Sequence, residues 1–210
     1  MLYDEEEEES QLLPYRIILV RHGETSWNQE RRFLGHSNPG LNEQGEIQAR
    51  AVAQRLMAER IDKVFSSDML RALETSQEIA SLHNLPVRIT PCLREINFGA
   101  WEGLTFAEIQ TQYPELLNKW ILDPFGVRIP GGETAEEVKS RVMEALDSIV
   151  LNTSDKETVV IVAHGGPLRM LLCQLTGVDS SCQWEFSIAH GEKVDLRRNG
   201  DIYLIMDKQN

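Results

Sequence analysis

The chain has 210 residues, 41% of them hydrophobic, which fits one globular domain with a buried core. Its formal charge is −12, and the run from Asp4 to Glu9 supplies half of that. Such a balance offers no basic footprint for nucleic acid or an anionic membrane, so an anion-binding function must reside in a local cluster of Arg and His.

Cys92, Cys173 and Cys182 are widely spaced and form no C-x-x-C pair, which fits a reducing, cytoplasmic setting. No stretch approaches the roughly 18 uninterrupted apolar residues of a membrane span, and the acidic N-terminus has the wrong sign for a secretory signal.

Residues 1–14 combine the acidic run with Ser10, Gln11 and Pro14 and read as a flexible tail; residues 15–210 read as a single domain. From Tyr15 the pattern becomes RIILV, a β-branched run that predicts a buried strand. Ala49, Val52, Ala53 and Leu56 then follow helical spacing. DKVFSS (62–67) and PVRIT (86–90) predict two more strands, separated by a helix that starts at Ser67 or Asp68. Its inward stripe reads Met69, Ala72, Leu73, Ser76, Ile79 and Ala80, which leaves Arg71 off the stripe. Spacing alone leaves Arg71 between a solvated helix-surface arginine and a pocket residue.

Thr105 with Glu108, and Thr134 with Glu137, are spaced as capping boxes and mark two helix starts. The second helix carries Val138, Val142, Ala145, Leu146 and Ile149 as its apolar stripe. TVVIVAH (158–164) repeats the buried-strand pattern, followed by a helix with Pro167 in its first turn and Gly177 at its stop. KVDLRR and DIYLIM predict a terminal hairpin around Asn199-Gly200. Alternating strands and helices imply a three-layer α/β/α fold with a mostly parallel central sheet, whose ligands bind beyond the carboxyl ends of the strands.

Arg21 and His22 directly follow the first strand, and Gly23 permits close approach of another segment. His164 follows the other apolar strand and precedes Gly165-Gly166 at a helix start, where free N–H groups favour an anion. Two histidines, an arginine and a helix N-terminus are thereby expected to converge.

RHGETSWN (21–28), SSDMLRALETS (66–76), LREINFGAWEGL (93–104), PGGET (130–134) and IVAHGG (161–166) occur in an order that resembles the histidine phosphatase superfamily, also called phosphoglycerate-mutase-like. The resemblance spans roughly residues 15–176. It implies that His22 takes up the phosphoryl group, that Arg21, Arg71 and His164 form the phosphate pocket, and that Glu95 protonates the leaving oxygen. Asn28 matches a further phosphate contact, and Thr25 and Gly165 are taken as substrate-binding positions beside these motifs. No metal or cofactor is expected.

The chemistry is consistent with those roles. A nucleophilic imidazole must be neutral, and neighbouring arginines disfavour its protonated form while binding phosphoryl oxygens. Glu95 must carry a proton to act as general acid, which burial or a nearby anion promotes. A metal-dependent phosphoesterase using His22, His164 and Glu95 as ligands is the competing class, but arginines beside a cation are unfavourable.

Trp27, Trp101, Trp120 and Phe125 read as packing residues, and His36, His83 and His190 as surface histidines. Arg128, just before PGGET in the segment 105–133 expected to cover the pocket, is a candidate for a second anionic group of the substrate. Residues 96–133 lack the adjacent arginine pair of the mutase branch, and REINFGAWEGL resembles the α-ribazole and broad-specificity phosphatases. PGGET is shared with that branch and with the fructose-2,6-bisphosphatases. Asn38-Pro39-Gly40-Leu41-Asn42 departs from the family's usual proline, leucine, then threonine or serine. Hydrolysis of a small phosphorylated metabolite is therefore expected, ahead of a phosphoglycerate mutase, a sugar bisphosphatase or a non-catalytic phospho-ligand binder. The reading is compatible with a homodimer.

Overall fold

The computed structural model describes residues 13–124, 126–179 and 185–206. The acidic run, Phe125 and Cys182 lie outside them. Six strands form one sheet: β1 (Arg16–Arg21), β2 (Lys63–Ser66), β3 (Val87–Ile89), β4 (Thr158–Ala163), β5 (Lys193–Asn199) and β6 (Ile202–Met206), in the order β3-β2-β4-β1-β5-β6. The pairs from β3 to β1 are parallel, whereas β5 runs antiparallel to both β1 and β6. The sheet is mostly parallel, with the expected hairpin at its edge.

Strand periodicity assigns the two faces. Ile17 and Leu19 of β1 pack into one cluster with Val138, Val142, Leu168 and Leu172, while Ile18 and Val20 pack into another with Val52, Leu56 and Ala72. Helices α6 (Ala135–Leu151) and α7 (Gly165–Thr176) therefore cover one face, and α2 (Glu43–Leu56) and α3 (Leu70–Leu82) the other. Ile17, Ile18, Leu19 and Val20 are fully buried. Each such side chain contributes roughly 1.5–3 kcal/mol of transfer free energy, which explains the unbroken apolar run.

A third cluster of Trp101, Ile109, Leu117 and Ile129 stands apart from the sheet, with Phe33 and Trp120 packed against it. It is built on α4 (Phe106–Gln112) and α5 (Pro114–Leu122) within the 105–133 segment. Trp101 meets Phe33 and Trp120 edge-on at ring separations of 5.7 and 5.6 Å, so aromatic packing holds this cap together.

Both predicted capping boxes form, Thr105 with Glu108 and Thr134 with Glu137. A third, Thr25 with Asn28, starts the short helix α1 (Ser26–Gln29). The departing stretch 38–42 supplies helix-start partners of its own. Asn42 caps α2 through Gly45 N at 2.8 Å, and Asn38 Oδ1 accepts from Leu70 N at 2.7 Å.

Two expectations need correction. Helix α3 begins at Leu70 rather than at Ser67 or Asp68, because Ser67 Oγ turns the chain by accepting from Met69 N, while the Asp68 carboxylate pairs with Arg94. Leu13 and Pro14 are not part of a flexible tail. Leu13 packs on the α6/α7 core and its carbonyl accepts from Arg198, while the buried Pro14 carbonyl accepts from Tyr203.

Candidate active site

The parallel strands β1, β4 and β2 end side by side. His22 N donates to Ala163 O at 3.1 Å and Ser67 N to Val162 O at 3.1 Å, which places His22, His164 and Ser67 on one rim. The His22 and His164 rings lie 5.0 Å apart. Both are buried, at 3% and 0% exposure.

Hydrogen bonding sets the tautomer of His22. His22 Nδ1 lies 2.7 Å from Gly23 O; a carbonyl only accepts, so Nδ1 carries the proton and Nε2 keeps its lone pair. Ser67 Oγ accepts from Met69 N and sits 2.9 Å from His164 Nε2. That hydroxyl can donate to His164 Nε2 or accept from it. Burial, then the charges of Arg71 and Arg21, hold the His22 imidazole well below its ordinary pKa; burial and Arg71 do the same at His164. Both rings are neutral near pH 7.

Arg71 is fully buried, not solvated. Its Nη1 and Nη2 donate to the carbonyls of Ser37 and Gly35 at 3.0 and 2.8 Å, which anchors the fork in the absence of a carboxylate partner. Desolvation pushes its pKa down to about 10, so the guanidinium stays charged. The buried side of α3 takes in Arg71 and Thr75 beside Ala72, Ser76, Ile79 and Ala80, whereas Leu73, placed on the inward stripe by spacing, is only half-buried. Arg21 Nη1 donates to Ile188 O at 2.9 Å, which aims the guanidinium along the strand ends.

Glu95 sits against the start of α7. Its Oε1 accepts from Ile96 N at 2.9 Å and Gly166 N at 3.2 Å, and Oε2 accepts from Gly166 N at 3.3 Å. Arg21 and Arg71 both act electrostatically on it. Arg21, His22, Arg71, Glu95 and His164 thus come together from four separate stretches of chain. Arg21 Nε, Arg71 Nε, His164 Nδ1 and His190 Nε2 are buried without a hydrogen-bond partner among the described residues. Such a concentration of unsatisfied polar atoms marks a site built for a polar ligand.

The remaining motif residues hold this constellation. Thr75 Oγ1 accepts from Gly23 N at 3.1 Å and donates to Arg71 O at 2.8 Å, which links the two phosphate-side loops. A Cβ on Gly23 would meet the Gly45 carbonyl at 2.4 Å, so only glycine lets α2 approach the nucleophile loop. Glu102 accepts from His36 N, Ser37 N and Phe98 N, bracing the segment that supplies the Arg71 acceptors.

A cleft of about 190 Å³ opens beside Arg21, Glu95, Gly165, Gly166 and Arg169, with Ile96, Phe98, Trp120 and Pro124 on its apolar side. Trp120 is therefore a cleft residue, whereas Trp101 is core. Thr25 and Asn28 have another occupation: they close the α1 capping box, with Thr25 Oγ1 and Asn28 Oδ1 2.9 Å apart. Arg128 is outside the cleft lining; it donates to Gly132 O and pairs with Glu137 at 2.6 Å on an exposed surface. Besides Arg21, the cleft lining includes Arg169, one turn into α7, whose Nε donates to Phe186 O at 3.0 Å.

His190 is not a surface histidine. Its ring lies 5.3 Å from that of His22, and burial together with Arg21 and Arg71 pushes its pKa down to about 4. No strand or helix periodicity frames it, so only the chain path after Ile188 reveals it. His36 Nε2 lies 3.0 Å from Glu95 O, and His83 Nε2 is buried at the end of α3. Among the described residues, no helix is long and apolar enough to cross a membrane, and no group of three or more His, Cys, Asp and Glu is placed to hold a metal ion.

Comparison with known proteins identifies the family. Phosphoserine phosphatase 1 of Hydrogenobacter thermophilus is 38% identical over 191 residues, covering 88% of this chain and 89% of that protein. The metal-independent phosphoserine phosphatase of Arabidopsis thaliana is 38% identical over 168 residues, covering 79% and 70%. Among solved structures, a putative α-ribazole-5'-P phosphatase from Escherichia coli superposes with a TM-score of 0.86 at 26% identity, over 92% of this chain and 95% of that one. The model of the histidine phosphatase superfamily (branch 1) matches residues 17–205, and with its strand-end histidines, arginines and phosphatase relatives the chain belongs to that family.

Proposed function

We propose that this chain is a metal-independent phosphomonoesterase that passes the phosphoryl group of a small phosphorylated metabolite through His22 to water. The observation that carries the reading is the His22 imidazole: pinned through Nδ1 to Gly23 O, so that Nε2 keeps its lone pair, and held neutral by burial and by the charges of Arg71 and Arg21. His22 Nε2 attacks phosphorus and the P–O bond to the leaving group breaks. The leaving oxygen takes its proton from Glu95. The Glu95 carboxylate then removes a proton from water, whose oxygen attacks phosphorus; the P–N bond breaks, and His22 returns to its neutral state with inorganic phosphate released. Arg21, Arg71 and His164 donate to the phosphoryl oxygens, where positioning and electrostatics supply most of the acceleration.

Hydrolysis is favoured over phosphoryl return to an acid because the only arginine in residues 96–133, Arg128, is tied to Glu137 outside the cleft. The relatives named phosphoserine phosphatase and α-ribazole phosphatase make phosphoserine and α-ribazole 5'-phosphate the first substrates to compare. Rapid mixing with a ³²P-labelled phosphomonoester and an alkaline quench should trap label on the wild type and none on His22→Ala. Turnover of p-nitrophenyl phosphate should be unchanged by chelator. Near-normal turnover by His22→Ala, or loss of activity to chelator restored by a metal, would overturn the mechanism. Net formation of 2-phosphoglycerate from 3-phosphoglycerate without phosphate release would instead establish the mutase.

A further inference from the structure

We infer that Arg141 is the positioning residue for Glu95, holding the proton donor in register with the leaving oxygen from the far side of its loop. This rests on the reading of Glu95 as general acid and assigns the group that places it.

Arg141 lies on α6, within the same helix whose apolar stripe packs on the sheet, and its side chain is only 17% exposed. All five of its N–H groups are engaged. Nη1 donates to the carbonyls of Cys92 at 2.9 Å and Arg94 at 2.6 Å, and Nη2 to the carbonyl of Glu95 at 2.9 Å. Nε and Nη2 also donate to the two Glu133 oxygens, each at 2.8 Å. A guanidinium is the side chain that can present this many donors in one fixed plane, so no other residue reproduces the arrangement.

Its acceptors lie in the short segment that carries Glu95. Glu133 extends the hold, since Glu133 Oε2 accepts from Asn97 N at 2.8 Å and Glu133 N donates to Asn97 O at 2.9 Å. His36 Nε2 reaches the Glu95 carbonyl at 3.0 Å from the other side. Backbone carbonyls at 92, 94 and 95 and both main-chain groups of Asn97 are thereby fixed to α6 and to the PGGET loop. The segment lacks α-helix or strand hydrogen bonding of its own between Arg94 and Phe98. Apart from these contacts, the segment is anchored by the Arg94–Asp68 pair and the Glu95 carboxylate by Ile96 N and Gly166 N.

A misplaced general acid has a signature that general loosening lacks. Departure of an acidic phenol needs little proton donation, whereas departure of an alkoxide needs it fully. The experiment measures kcat/KM, which reports phosphoryl transfer to the enzyme, across aryl and alkyl phosphomonoesters of graded leaving-group acidity for the wild type, Arg141→Lys, Glu133→Gln and Glu95→Gln. Arg141→Lys is expected to keep p-nitrophenyl phosphate within about threefold and lose about 10²-fold on alkyl phosphates, the size of a general-acid contribution. Glu133→Gln should give a smaller change of the same form, and it provides the test should Arg141→Lys not fold. Inorganic phosphate, as a competitive inhibitor, should bind both variants as it binds the wild type. An unchanged leaving-group dependence, or an equal loss on every substrate, in a folded variant overturns the inference. If Glu95→Gln itself shows no steeper dependence, the assignment of Glu95 fails first, and the role of Arg141 with it.

Discussion

Substitution of the two glycines that open α7 separates the fold of this protein from its chemistry. Neither has a positive φ, so alanine is compatible with the backbone at both and favours the helix by up to about 1 kcal/mol. A Cβ on Gly165 would meet Arg21 Cζ at 3.6 Å and Glu95 Oε2 at 3.8 Å, which is ordinary contact. A Cβ on Gly166 would lie 2.5 Å from Glu95 Oε1, whereas ordinary contact begins at 3.4 Å. The carboxylate must therefore retreat by about 1 Å, a displacement that can cost on the order of 10²-fold in rate when it affects reacting geometry. Gly166→Ala is expected to lower kcat/KM for alkyl phosphates by that factor without lowering the melting temperature, and Gly165→Ala to remain within about threefold of the wild type. Steady-state assays and thermal denaturation of the two purified variants decide it. If Gly166→Ala is stable and turns over alkyl phosphates normally, Glu95 does not act from where it sits.

Three further outcomes follow from the site. His22, His164 and His190 are held neutral by the fold, the last with its pKa near 4, so the unfolded chain binds more protons below its ordinary histidine pKa of 6.5. Their contribution to stability is complete above about pH 6.5 and is lost as pH falls toward 4; urea midpoints measured across that window should fall, and His190→Asn should flatten the decline. Thr75→Val strands the buried Gly23 N–H and should cost about 1–3 kcal/mol in denaturant unfolding, with a lower kcat; an unchanged midpoint would show that water replaces the hydroxyl. Arg128→Ala should leave KM unchanged for every anionic substrate, while Arg169→Met should raise it severalfold only for substrates with a second anionic group; the opposite pattern would restore Arg128 to the site.

Much of this molecule is legible from local pattern. RIILV and TVVIVAH fold as adjacent parallel strands because a sheet covered on both faces demands apolar residues at every position. Thr105-Glu108 and Thr134-Glu137 start helices because each box satisfies backbone groups within four residues. His22 and His164 emerge at strand ends for the same local reason, and their motifs announce the family. Other features answer to forces with no periodicity along the chain. Arg71 is buried because carbonyls at 35 and 37, more than thirty residues away, receive its fork. Asp68 does not cap α3 because Arg94 reaches it from another loop. His190 enters the site, and Arg128 leaves it, through partners that spacing cannot encode. The sequence by itself determined the strands, the two capping-box helix starts and the family, since those depend on side-chain chemistry and nearest neighbours. Only the tertiary structure decided which cations face the cleft and what holds Glu95, because those depend on hydrogen bonds between segments that meet only after the sheet has formed.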